Sequence, residues 1–289
     1  MRMSIKKLFL IGVLGLSFCM TGCGNGQKVD SEKEFSTNDI SEIVINNSSW
    51  NLKILASSDD KIHVSYDGKI EDGVSNIQIL QNESQLVIQQ DTTSSKNIAT
   101  QFSFGKAGKI TLYIPKNTVL PLDINNGSGD MEIEAVNLSD FTMENDSGYV
   151  SMSDLVIENA KIGLDSGDIK ITGSSCSDCD IQTKSAYVTV KKTVTKKAAI
   201  LTDAGEVNIS GISDYTSLSI ETGSGDITIS HETQPDNLSY NVSSGSDDVT
   251  MQLQNAKSTT DTAGCKQGSI GKGKCSLSVM SDSGTISIK

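Results

Sequence analysis

Six acidic and tyrosine residues recur at one position of a repeated phrase and are the first candidates for chemistry. They are separated by 19 or 20 residues: Asp130, Tyr149, Asp168, Tyr187, Glu206 and Asp226. If equivalent positions stack, the carboxylates could bind Ca²⁺ or a sugar, and the tyrosine rings would offer stacking faces. The alternative is ordinary turn chemistry and surface polarity. The alternative is favoured, because Ca²⁺ needs about six to eight oxygens around one point and Tyr interrupts the carboxylates. The six residues therefore form at most a weak surface ligand column.

Four cysteines are the second candidates. Cys176 and Cys179 form a C-x-x-C motif, and Cys265 and Cys275 flank a Gly- and Lys-rich loop. Outside the cytosol these cysteines can form disulfides, and the sequence allows three connectivities. Closure of the loop by Cys265 and Cys275 is the natural prediction. A redox site would need a βαβ unit, which the sequence lacks, and a Cys₄ zinc site has the wrong spacing in its second pair. We therefore expect structural cysteines and no metal site.

Other catalytic constellations are missing from the sequence. The two histidines, His63 and His231, lie far apart, and no Gly-x-Ser-x-Gly motif sits between a strand and a helix. We predict that the chain is not an enzyme and carries no cofactor. A polysaccharide-active enzyme is a less favoured alternative. β-Helical enzymes of that class need a basic residue among acids in a groove, and the mature chain would have no Arg to supply it, although Lys remains available. Asp168 and Lys170 would be the residues to mutate.

The elements that must position these residues follow from a repeated phrase, Ser-Gly-Asp and its variants. From Gly129 to Gly245 the turn residue returns every 19 or 20 residues, with Ala186 in a degenerate copy and a further copy at Gly284. Such a period indicates a solenoid, propeller or array. Counting from the turn residue, positions −7, −5, +2 and +4 are apolar or small and alternate with polar residues, which is typical of strands. The near-constant period favours parallel stacking of equivalent strands over hairpin pairing within one copy.

The predicted fold is all-β, a parallel β-solenoid (a single-stranded β-helix) with about 19–20 residues per coil. Residues 122–289 form the regular repeats, and residues 38–121 form irregular coils in which Trp50 takes the turn position. A hairpin is predicted from residues 76–80 and 85–89, and a strand from 109–114. The copy at Gly245 has one extra residue, and its inward pairs are predicted as Leu238/Tyr240 and Val249/Met251. We expect the excursion near 255–276 to cover the edge of the final strand, 285–288, since an uncovered edge favours end-to-end self-association.

The N-terminus predicts export. Residues 1–22 combine Arg2, Lys6 and Lys7 with a short apolar run. The four residues directly after that run, Met20 to Cys23, resemble a lipobox. Cleavage before Cys23 and lipidation of its thiol would anchor the protein to the membrane, with residues 23–37 as a flexible tether. An ordinary cleavable signal peptide is the alternative. We predict an extracytoplasmic protein, lipid-anchored to the cell membrane.

The charge limits the partners. The chain has a formal net charge of −12, which becomes −15 when residues 1–22 and their three basic residues are removed. Arg2 is the single arginine, so the mature chain would have none. Nucleic acids and phosphates are usually bound by Arg and Lys clusters, so a nucleic-acid partner is not expected.

These features together resemble the bacterial putative-adhesin family of β-strand-repeat proteins, a domain of unknown function, in a lipoprotein form. The resemblance rests on the lipobox, the Ile-Val-Ile-Asn-Asn run at 43–47, the Tyr-Ile-Pro at 113–115 and the serial Ser-Gly-Asp-Ile-x-Ile units, and it covers residues 40–289. It implies a β-solenoid at the cell envelope and supplies no catalytic motif. Some relatives resemble regulators of envelope-stress signalling.

Two main hypotheses of function remain. The first is a lipid-anchored, non-catalytic surface module that binds or adheres to an envelope protein or glycan. The second is an envelope-stress sensor that contacts a membrane signalling protein. A partner captured from membranes would distinguish them.

Overall fold

The computed structural model describes residues 27–70, 76–91 and 108–289, and in them it is an all-β solenoid. The predicted signal peptide and Cys23 lie outside these residues. Strands fall into a 12-stranded sheet (sheet 1) and a 13-stranded sheet (sheet 2). In chain order the first strands are β1 Gln27–Ser36, β2 Glu42–Asn47, β3 Asn51–Ser57, β4 Lys61–Ile70, β5 Asn76–Asn82, β6 Gln85–Asp91 and β7 Gly108–Pro115, with a short 3₁₀ turn at Thr37–Asp39.

The regular coils supply one longer strand to sheet 2 and one shorter strand to sheet 1. In sheet 2 they are β8 Val119–Asn126, β10 Asn137–Asn145, β12 Val156–Ser166, β14 Ser175–Ser185, β16 Val194–Ala204 and β18 Ser217–Ser224. In sheet 1 they are β9 Met131–Glu134, β11 Val150–Ser153, β13 Ile169–Thr172, β15 Val188–Lys191, β17 Val207–Ile212 and β19 Ile227–His231. The remaining strands are β20 Leu238–Ser244, β21 Val249–Met251, β22 Lys257–Asp261, β23 Cys265–Ile270, β24 Cys275–Ser283 and β25 Ile286–Ile288.

Equivalent strands of successive coils pair in parallel, as the period predicts. Met131 lies opposite Val150, which lies opposite Ile169, so each inward side chain meets its counterpart one coil away. The two strands of one coil belong to different sheets and do not form a hairpin. The inward residues form one core cluster that extends from Ile40 to Ile288. Each such aliphatic side chain stabilises the fold by about 1.5–3 kcal/mol.

Two corners per coil reverse the chain. At the predicted corner the glycines approach the preceding coil closely: a Cβ on Gly167 would overlap the carbonyl oxygen of Gly148. Gly167 also has a φ of +97°. Trp50 takes the turn position as predicted, stacked on Gly129. The second corner, which the sequence did not reveal, places one left-handed residue in each of five coils: Ala135, Asp154, Gly173, Lys192 and Gly211.

The order of the coils at both ends differs from the expected consecutive stacking. At the N-terminal end β2 lies between β6 and β8, and β3 lies between β7 and β9. At the other end β24 lies between β18 and β20, and β25 lies between β19 and β21. The first and last coils of the chain are therefore each one place in from the end of the stack. The expectation that the 255–276 excursion covers the edge of the final strand is wrong, because that strand lies inside the stack with a parallel partner on both sides.

The 255–276 excursion covers part of the end coil. Its strands β22 and β23 form an antiparallel hairpin that pairs with β20 and so covers the edge of sheet 2. On sheet 1 the cover is limited, with Val249 N–H donating to the carbonyl of Ala263 at 2.9 Å. The new outer edge, β22, consists of Lys, Ser, Thr and Asp residues, which disfavour pairing with another chain.

Two further predictions require correction. Residues 27–36 were expected in a flexible tether, but they form strand β1, which pairs antiparallel with β4 over its full length. The inward pair of the Gly245 copy is Tyr240 and Val242, since these residues lie opposite Leu277 and Val279. The turn position of this copy lies two residues further along, at Asp247, which has a φ of +57°. The hairpin of β5 and β6 and the strand β7 are confirmed.

Candidate functional site

The predicted ligand column is a continuous row beside the turns. The carbonyls of Tyr149, Asp168, Tyr187, Glu206 and Asp226 each accept a hydrogen bond from the preceding coil. The alternation of Asp with Tyr has a local cause, because an aspartate accepts the backbone N–H of the next residue in the row. Asp130 Oδ1 accepts from Tyr149 N at 3.1 Å, and Asp168 Oδ1 accepts from Tyr187 N at 3.3 Å. The carboxylates therefore serve the turn chemistry.

The two tyrosines of the row remain open to a ligand. Tyr149 is 43% exposed and Tyr187 is 54% exposed. They are two coils apart, about 9.6 Å along the solenoid. No cluster of three or more metal-binding side chains occurs in the described segments. The row thus offers two exposed aromatic faces two coils apart. The less favoured Ca²⁺ interpretation finds no cluster of ligands among the described residues.

The C-x-x-C pair lies on β14 and faces inward. Cys176 is buried, Cys179 is partly buried against the core, and the Cys176 thiol donates to the carbonyl of Asp178 at 3.2 Å. Interaction with the Cys179 thiol lowers the pKa of Cys176, and the same interaction together with burial raises the pKa of Cys179. They border an apolar cavity of about 40 Å³. Small residues at the −7 position, Ala160 and Ala198, leave this space.

The predicted closure of the loop by Cys265 and Cys275 does not occur in this structure. All four cysteines of the described chain are free thiols. Strands β23 and β24 lie on opposite sides of β20, with Cys265 opposite Ser243 and Cys275 opposite Leu238. Five residues along a strand correspond to about 16 Å, and a disulfide requires Cα atoms within about 7 Å. This pairing is therefore incompatible with the fold.

The histidines take separate structural roles. His63 Nε2 contacts both carboxylate oxygens of Asp59, at 2.9 and 3.0 Å, and this contact is the main cause that lowers the pKa of Asp59 to about 2. His231 Nε2 lies 2.9 Å from the Tyr215 hydroxyl, and its Nδ1 lies 3.2 Å from the carbonyl of Lys289. Burial lowers the pKa of His231 and raises that of Tyr215. The two histidines belong to different strands, β4 and β19, and do not converge on one site.

A buried polar column at position −3 was not recognised in the sequence. It contains, in stacking order, Asn47, Asn126, Asn145, Thr183, Thr202, Thr222, Ser281 and Ser244, and Leu164 interrupts it between Asn145 and Thr183. The asparagine amides hydrogen-bond to one another and to the turn backbone. The hydroxyls of Thr183, Thr202 and Thr222 have no partner in the described structure. The sequence signal for this column is a polar residue that recurs three places before the turn residue.

A groove on the outer face of sheet 2 is the other concave feature. It crosses β10, β12, β14 and β16 and has a volume of about 370 Å³. Its lining mixes carboxylates, lysines, an amide and an apolar side chain: Glu144, Lys161, Asp165, Gln182, Lys184 and Leu201. No helix in the described part of the chain is long and apolar enough to cross a membrane.

The fold and surface define a two-sheet β-solenoid with a repeated outer face. Residues 40–289 match the family described as Toastrack DUF4097, and the chain belongs to that family. The match confirms the family resemblance seen in the sequence and its β-solenoid fold.

Several solved structures are similar to this chain at low sequence identity, one of them with a TM-score above 0.5. A putative adhesin from Parabacteroides distasonis ATCC 8503 is 9% identical with a TM-score of 0.54, over 92% of this chain and 98% of that one. A putative lipid binding protein from the same organism is 13% identical with a TM-score of 0.48, over 92% and 98%. A putative cell adhesion protein from Clostridium sporogenes ATCC 15579 is 12% identical with a TM-score of 0.37, over 91% and 99%. No match was found among functionally curated proteins.

Proposed function

We propose that this protein is a lipid-anchored, non-catalytic binding or adhesion module at the outer side of the cell membrane. The observation that carries the proposal is the row beside the turns, where Tyr149 and Tyr187 are exposed at a fixed spacing. Rigidly spaced copies of one side chain suit multivalent contact with an extended polymer. The adhesin description of the Parabacteroides distasonis structure agrees with this role.

The anchor would hold the solenoid close to the bilayer. Strand β1 begins at Gln27, four residues after Cys23. Four residues span at most about 14 Å. A Cys23→Ala variant should move from the membrane fraction to the soluble exported fraction and lose incorporation of labelled fatty acid. Retention in the membrane fraction with unchanged labelling would contradict the anchor.

The binding role can be tested with the chain from residue 24, which contains every described contact of the fold. We expect this chain to co-sediment with isolated cell-wall material, and the Tyr149→Ser/Tyr187→Ser double variant to do so much less. The matched control is Val119→Ser/Val156→Ser, since these valines are 57% and 55% exposed but lie outside the row. Recovery of one integral membrane protein, with no wall binding, would instead favour a regulator of envelope stress.

A further inference from the structure

The groove on sheet 2 arises from one missing side chain. Gly163 lies between Glu144 and Gln182 in the parallel register, and Leu201 follows Gln182 one coil further. A long side chain at position 163 would continue this column, but glycine leaves a gap. A Cβ on Gly163 would overlap the Glu144 carboxylate, so that carboxylate lies across the glycine backbone. Gly163 therefore forms the floor of the groove, and the Glu144 carboxylate covers part of that floor.

Some groups of the groove are already paired and hold its walls. Lys184 Nζ lies 2.6 Å from Asp165 Oδ1, and this contact raises the pKa of Lys184. Gln182 Nε2 donates to the Asp180 carboxylate at 3.3–3.4 Å. These pairs fix the positions of four polar side chains along one wall. The contact through Nε2 orients the side-chain amide of Gln182.

Two other groups of the groove have no partner. Within residues 27–70, 76–91 and 108–289, neither the Glu144 carboxylate nor the Lys161 ammonium makes a hydrogen bond or ion pair. The Glu144 carboxylate can only accept hydrogen bonds, and the Lys161 ammonium can only donate them. Leu201, 43% exposed, adds an apolar surface at the other end of the same column. The groove thus presents an acceptor, a donor and an apolar face.

We propose that this groove binds a neutral oligosaccharide along the solenoid axis. The proposal rests on the binding function above and assigns to it a ligand class and a second surface. Sugar hydroxyls both donate and accept, so they can pair with Glu144 and Lys161 together. The C–H face of a pyranose ring can pack on Leu201. The volume of about 370 Å³ falls within the range of about 300–1,000 Å³ seen for small-ligand sites.

Charge and spacing favour a neutral polymer over an ion. Four carboxylates line the groove against two ammonium groups, and the whole chain is acidic, so an anionic polymer is repelled. A cation would meet the unpaired Lys161 ammonium in the same lining. Successive coils repeat about every 4.8 Å along the axis, which is close to the advance of one pyranose unit in an extended β-linked chain. Successive sugar units can therefore meet equivalent positions of successive coils.

The test uses the chain from residue 24 with fluorescent cellotetraose and tetra-N-acetylchitotetraose as probes, followed by fluorescence polarisation. The decisive variant is Gly163→Gln. It places on the groove floor the side chain type that Gln182 has at the equivalent position of the next coil. Gly163 lies in a strand without positive φ, and the overlap involves only the flexible end of Glu144, so the variant should fold. We expect binding of at least one probe and about tenfold weaker binding by the variant. Ser219→Gln, a change at an exposed position of β18 outside the groove, is the control and should bind as the parent does.

The outcomes separate this proposal from the broader one. Equal binding by the parent and Gly163→Gln, with an unchanged melting temperature, would overturn the groove site. Absence of binding to both probes by the parent, with retained sedimentation on cell wall, would overturn the ligand class and leave the binding module in place. If the parent binds neither the probes nor the cell-wall material, both proposals are overturned. Loss of binding by Glu144→Gln and Lys161→Met would support the two assigned hydrogen-bonding roles.

Discussion

Asn47 Nδ2 donates a hydrogen bond to Asn126 Oδ1 at 2.6 Å, although the two residues are 79 positions apart. Asn126 Nδ2 in turn donates to Asn145 Oδ1 at 2.6 Å and to the carbonyl of Gly129 at 2.8 Å. Asn47 also donates to the carbonyl of Trp50 at 2.6 Å. This buried ladder joins the irregular N-terminal coils to the regular repeats and holds the turn backbone at Trp50 and Gly129.

The ladder predicts a large cost for Asn126→Leu. The change should lower the free energy of unfolding by about 2–4 kcal/mol, because buried polar groups of Asn145 and Gly129 lose their partner. Asn125→Leu, one residue away on the exposed face, should change it by about 0.5 kcal/mol or less. Chemical denaturation of the two variants gives the comparison. Similar losses in both would show that the amide ladder contributes little.

Two buried threonines predict opposite effects of the same substitution. The Thr202 hydroxyl has no partner among the described residues, whereas the Thr195 hydroxyl donates to the carbonyl of Lys197 at 2.8 Å. Thr202→Val should therefore be neutral or stabilise by about 1 kcal/mol, since it replaces an unpaired polar group by a methyl. Thr195→Val should destabilise by about 1–2 kcal/mol. Both are measured by thermal and denaturant unfolding, and a stabilising Thr195→Val would contradict the assignment.

Exchange of glycine and alanine should have unequal effects on stability at the turn positions of two neighbouring coils. Gly167 combines a φ of +97° with a close approach to the Gly148 carbonyl, and Gly167→Ala should destabilise by about 2 kcal/mol or more. Ala186 occupies the same position one coil later without a positive φ, so Ala186→Gly should cost only about 1 kcal/mol. Melting temperatures of the two variants test the ranking, and the reverse order would refute it.

His231 predicts a loss of stability on acidification. Burial lowers its pKa below the ordinary value of 6.5, so the unfolded chain binds a proton more readily than the folded one. The contribution of His231 is present in full above about pH 6.5 and is lost as the pH falls through the folded pKa. His231→Gln should show a smaller fall in melting temperature than the parent between about pH 7 and pH 5. An identical fall would assign the pH dependence to other groups.

The C-x-x-C pair predicts one defined disulfide. With oxidised glutathione, the thiols of Cys176 and Cys179 should form an S–S bond while one glutathione disulfide is reduced to two thiols, because both residues border the same cavity and their thiols interact. Peptide mapping should find this link, and Cys176→Ser should abolish it. A link between Cys265 and Cys275 would contradict the strand order around β20.

The sequence alone determined the coil. The period of 19 or 20 residues, the inward apolar positions and the turn glycines predicted parallel stacking, and Met131, Val150 and Ile169 stack as expected. Even Trp50 in the turn position and the β5–β6 hairpin were visible in the pattern. These features could be predicted because each is set by local alternation and turn chemistry, which repeat in the sequence itself.

The tertiary structure alone decided which coil stacks on which. Every copy carries the same inward pattern, so the sequence could not show that β25 inserts between β19 and β21, or that β2 lies between β6 and β8. It also could not place Gly163 beside Glu144 in an open groove, since that depends on the side chains of adjacent coils. The pairing of Cys265 with Cys275 was wrong for the same reason. Closeness in sequence favoured it, but the strand β20 between them determines the distance.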